Sequence, residues 1–113
     1  MKWPEFTENE VTILKALFDT LIPPDDFPGG WEGGVERYLL QAFQTDLRDA
    51  VPAYKAAVSN LGDAFLGQSY EERVETIRSF DPEFVDLAAT HAAEGYYSAP
   101  GPGWQMIGFE VTV

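Results

Sequence analysis

Few side chains in this sequence have the type and spacing to do chemistry. They are the neighbouring carboxylates Asp25 and Asp26, inside the stretch IPPDDFPGGWEGG from Ile22 to Gly34, and the single histidine, His91. Two carboxylates in a loop suggest a calcium site or an acid–base pair. The calcium-loop spacing is absent and adjacent residues rarely point the same way, so a turn role, bonding nearby backbone donors, is the plainer reading. His91 falls on an apolar helical face, where a lone histidine is usually a buried group with one hydrogen bond. The pairs Gly29-Gly30 and Gly33-Gly34 do not follow a strand and so do not read as a phosphate cradle. There is no cysteine, which excludes disulfides, thiolate metal sites, cluster ligation, covalently attached haem and cysteine nucleophiles within this chain. No catalytic, cofactor-binding or metal-binding residue is assigned on these grounds, and the chain does not read as an enzyme.

The elements that must position these residues follow from local signals. Thr7 with Glu10 three residues on predicts a capping box, because each side chain can satisfy the other residue's free backbone donor. Val11, Leu14, Leu17, Phe18 and Leu21 then form one stripe, with Lys15 and Asp19 on the exposed side, until Pro23 and Pro24 stop the helix. Three prolines and four glycines between Ile22 and Gly34 cannot continue it. A second helix is predicted from Val35, Tyr38, Leu39, Ala42 and Phe43. A third run carries Leu47, Val51, Tyr54, Val58, Leu61 and Phe65 on one face, and Pro52 predicts either a kink near Arg48 or a restart with proline in the first turn. Gly62 and Gly67 loosen its end. Ser69 with Glu72 opens a fourth helix with Tyr70, Val74 and Ile77 inward. Asp81-Pro82 opens a fifth, with Phe84, Leu87, Ala88, His91 and Ala92 on one face and Gly95 as its end. The expected fold is all-α, one domain over residues 1–113: a small bundle of about five helices with a Pro/Gly-rich loop after the first and a non-helical C-terminal tail.

Charge narrows the partners. With 19 acids against 7 bases and a net charge of −12, nucleic acid and anionic membrane surfaces are disfavoured, since phosphate binding relies on Lys and Arg. No apolar stretch approaches the roughly 20 residues that span a bilayer. The opening MKWPEFTENE has neither an apolar run nor twin arginines, so a cytoplasmic location is expected as the sequence stands.

Two segments resemble the gluconate 2-dehydrogenase subunit 3 family. Ala16 to Tyr38, ALFDTLIPPDDFPGGWEGGVERY, is similar to its "(I)IP-x-D-x-x-PG…GV" signature between the first two helices. Gly95 to Phe109, GYYSAPGPGWQMIGF, is similar to its ending, "GY-aromatic-S-x-P…GW-x-x-IG". A "YGGN"-type insert usual in the family is missing, so that Pro100 runs almost directly into Gly103-Trp104. The resemblance implies a small accessory subunit that assists maturation, stability or export of a large FAD-dependent dehydrogenase subunit of the glucose-methanol-choline type. The flavin, and often a cytochrome c partner, would then belong to other subunits. Export through a twin-arginine signal, common in that family, would make the location periplasmic. The runner-up is a free-standing helical adaptor for an unrelated protein; the third reading is a small enzyme using Asp25, Asp26 or His91.

A partner surface is expected on the loop and the tail: Asp25, Asp26, Phe27 and Trp31, with Tyr96, Tyr97 and Trp104 at the tail's base and Ile107 and Phe109 along it. Large aromatics on a Pro/Gly-rich loop are candidate anchors. For Trp31 the competing role is a place in its own core. The tail is the one stretch with a strand signal, Ile107, Phe109, Val111 and Val113 alternating with Gly108, Glu110 and Thr112. A lone strand needs a partner edge, from another protein or from a second copy in a homodimer.

Overall fold

The computed structural model describes residue 3, residues 5–24 and residues 29–98, the last two without their side chains. The elements among the described residues are all helical, with no strand: α1 (Glu8–Leu21), a π-helical turn (Trp31–Val35), α2 (Glu36–Ala42), a 3-10 turn (Arg48–Ala50), α3 (Val51–Leu66), α4 (Tyr70–Arg78) and α5 (Pro82–Ser98). The helix starts follow the predicted caps. Thr7 Oγ1 accepts from the Glu10 amide at 3.1 Å while Glu10 Oε1 accepts from the Thr7 amide at 2.8 Å. Ser69 and Glu72 repeat this pairing at α4. Of the two arrangements open at Pro52, the structure has the restart: the 3-10 turn precedes α3, and Pro52 lies in its first turn, where its missing N–H costs nothing. Gly62, at φ 64° and ψ −175°, breaks α3 before its end.

α1 packs chiefly on α3, and α5 packs on the π-helical turn and α2. The core has an aromatic centre. Around Tyr54, which is fully buried, stand Phe84 at 5.1 Å, Phe43 at 5.2 Å, His91 at 5.8 Å and Phe18 at 6.1 Å between ring centroids. The guanidinium of Arg73 closes α3, its Nε and Nη2 donating to the carbonyls of Phe65 and Leu66 at 2.9 Å each, as cations do at helix C-termini.

Three expectations are corrected. Gly95 does not end α5, which runs on to Ser98. Its missing side chain instead permits close packing, since a Cβ there would stand 3.0 Å from Val35 Cα and Tyr38 Cβ. Tyr70 points outward, 47% exposed, because α4 buries only Ile77 and its first turn stays in solvent. Asp19 is not a plain surface acid: beside its 3.0 Å ion pair with Lys15 it accepts a hydrogen bond from the Trp31 amide.

Candidate functional site

The two described ends of the Pro/Gly-rich stretch meet as a clasp. Pro23 and Pro24 are exposed where α1 ends, and the chain is caught again when the Gly30 amide donates to the Ile22 carbonyl at 2.7 Å. Asp19 Oδ1, one turn back in α1, accepts from the Trp31 amide at 3.1 Å. The polypeptide then winds through the π-helical turn, which Gly34 permits by adopting φ 146°, a region that L side chains rarely enter. A Cβ on Gly33 would run into the ring of Tyr96 on α5.

This winding carries Trp31 inward. It is 4% exposed, its ring stacked 5.6 Å from Trp3 on one side and 6.2 Å from Phe18 on the other. Of its two roles, core and surface anchor, the structure gives the core one, because the clasp turns the indole toward the bundle. Tyr96 is likewise buried, 4% exposed, on the Gly33 backbone. Both are contact points within the molecule, and neither is displayed on its surface. Tyr97 is in α5, its side chain outside the described part, and Asp25, Asp26, Phe27, Trp104, Ile107 and Phe109, with the alternating tail, lie outside the described residues.

His91 lies in the core and lines none of the clefts described here. Its Nδ1 is 2.7 Å from the Tyr54 hydroxyl, and burial holds its pKa below the ordinary value, against a smaller opposing pull from Glu94. The neutral ring therefore shares one hydrogen bond with the phenol, its direction set by the tautomer. Nearby, Tyr38 donates to Glu94 Oε1 at 2.7 Å. Burial first, then that bond, pushes the Tyr38 phenol up to about 12, so it remains a donor. Among the described residues no three His, Asp or Glu side chains gather as a metal site would require. No helix among them is long and apolar enough to cross a membrane.

Compared with known proteins, the chain matches no family model, no curated protein and no solved structure.

The surface feature that residue types did not announce is a half-open cleft of about 350 Å³ between the N-terminal segment and α2. Its buried floor is Trp3, Phe6 and Phe43; Leu40 forms a wall; exposed Glu5, Gln44 and Arg48 form the rim. Trp3 Nε1 is buried with no hydrogen-bond partner among the described residues, a state that costs about 1–3 kcal/mol. A second hollow of about 370 Å³, shared through Leu40 and Gln44 and bordered by Arg37, continues the cleft along α2. One sequence signal for Phe6 existed: it immediately precedes the Thr7 cap, and Val11 holds the matching position inside α1, the pattern of a hydrophobic staple. Trp3 carries no such signal.

Proposed function

We propose that this chain is a non-catalytic small subunit of an FAD-dependent dehydrogenase complex of the glucose-methanol-choline type, binding the catalytic flavoprotein and assisting its maturation, stability or export. The observation that supports this most is the meeting of the two segments that resemble the subunit 3 family. They are far apart in sequence, yet Gly95 rests on Val35 and Tyr38, and the Tyr96 ring lies on Gly33. A joint that seats Gly95 and Tyr96 against the clasp supports reading both segments as one unit. In this reading the flavin sits in the large subunit, a cytochrome c subunit is a further candidate partner, and the compartment is that of the flavoprotein.

Affinity purification of the tagged chain from its native host tests the proposal. The expected result is a stoichiometric complex with a large chain carrying a flavin absorbance that the isolated small chain lacks. Recovery of an unrelated partner would assign the chain to the helical adaptors instead. Recovery of the chain alone, or flavin retained by the chain itself, would overturn the proposal.

A further inference from the structure

We propose that the trough along α2 is a docking site for an extended segment of another protein that presents an aromatic side chain next to a carboxylate. In a chain of net charge −12, bases should find acids, and three of the six described ones do: Lys15 pairs with Asp19, Lys55 with Glu10 and Arg78 with Glu75. Arg73 is spent on the carbonyls that end α3. Arg37 and Arg48 meet no acid among the described residues, and both border the trough. Arg48 uses one Nη2 proton on the Gln44 carbonyl at 2.7 Å, which steadies the guanidinium and leaves its other donors available. Among the described residues, Glu5 is the one acid on the rim.

The apolar part of the occupant follows from the floor. Trp3, Phe6 and Phe43 form an edge-to-face and tilted cluster, with centroids 5.6 to 6.2 Å apart. Such a cluster favours another ring with the same geometry. The shape favours a chain over a compact ligand. Small-molecule pockets enclose most of their ligand, whereas these two hollows are half-open and run on from one another across Leu40 and Gln44.

This inference rests on the reading that the chain works by binding another protein, and is independent of that protein being a flavoenzyme. The probe is the peptide acetyl-Ala-Phe-Glu-Ser-Gly-amide, titrated into the full ¹⁵N-labelled chain. The Trp3 indole N–H resonance is assigned with Trp3→Phe. The expected result is a saturable shift of that resonance with a dissociation constant on the order of 1 mM. Arg48→Gln in the protein, or Gln for Glu in the peptide, should each weaken binding about two- to fivefold, as suits an exposed ion pair. An unmoved Trp3 resonance, or equal binding of the Gln peptide, would overturn the proposal. So would phenylacetate binding as tightly as the peptide, which would assign the cleft to a small carboxylate. A failed capture of flavoprotein with an intact peptide shift would sink the function proposed above and leave this one standing.

Discussion

Replacing Gly33 by alanine tests whether the clasp and the end of α5 are one packed joint. The added methyl would run into the Tyr96 ring, with Cδ1 at 2.7 Å, far inside the 3.5–4.0 Å at which carbon atoms attract. Tyr96 is 4% exposed, so its ring has no solvent to swing into, and either α5 or the π-helical turn must shift. Overpacking of this kind costs about 1–3 kcal/mol. Because φ at Gly33 is not positive, alanine also restricts the unfolded chain and returns about 0.4–1 kcal/mol. The net loss is roughly 0.5–2 kcal/mol, a fall in Tm of about 2–8 °C for a chain of this size. Thermal unfolding followed by circular dichroism reads it, and the same substitution in a Tyr96→Leu background isolates its cause. With the ring gone, Gly33→Ala should be neutral or slightly stabilising, a coupling of about 0.5 kcal/mol or more between the two sites. If Gly33→Ala raises Tm equally in both backgrounds, the joint is not packed as described.

Two further predictions concern the core. Trp31→Ala should cost about 3–5 kcal/mol, the range for emptying a buried aromatic site, so the melting temperature falls steeply; an unchanged melting temperature with loss of partner capture would return Trp31 to the surface. His91 supplies a pH dependence whose sign is determined by its lowered pKa. The folded state prefers the neutral ring, so its contribution is complete above the unfolded value of about 6.5 and is lost as pH falls through the lower folded value. His91→Gln keeps an acceptor for Tyr54 and removes the titration, so melting curves from pH 7 to 5 should lose more stability in the native chain than in the variant. Parallel curves would remove His91 as the cause.

What the sequence discloses about this fold is whatever rests on chemistry within a few residues. Thr7 with Glu10, Ser69 with Glu72, and Asp81 before Pro82 predict helix starts correctly, because a cap is a bond between near neighbours. Pro52 predicts a break for the same reason, since the missing donor is local, but leaves a kink and a restart open, and the structure has the restart. Gly95 misleads because its local signal, tolerance of a left-handed cap, is overridden by a distant one, the approach of Val35 and Tyr38 to 3.0 Å. Asp19 reads as the exposed half of an i,i+4 pair, and nothing in that spacing reveals that its second oxygen holds the Trp31 amide across the clasp.

The candidate sites divide along the same line. His91 is legible as a buried histidine from its apolar helical face, while its partner Tyr54 is one of several stripe residues until folding brings the two within 2.7 Å. Trp31 has two roles open in the sequence because a Pro/Gly-rich loop can present or bury an indole with equal ease. The difference is made by Trp3, which reaches back from ahead of the first helix to cover Trp31 at 5.6 Å and Phe43 at 6.1 Å. The same placement makes Trp3 a floor residue of the α2 trough. One residue outside every helix therefore closes the core on one side and shapes a surface on the other. A period-based reading, which begins at the Thr7 cap, passes over it for that reason.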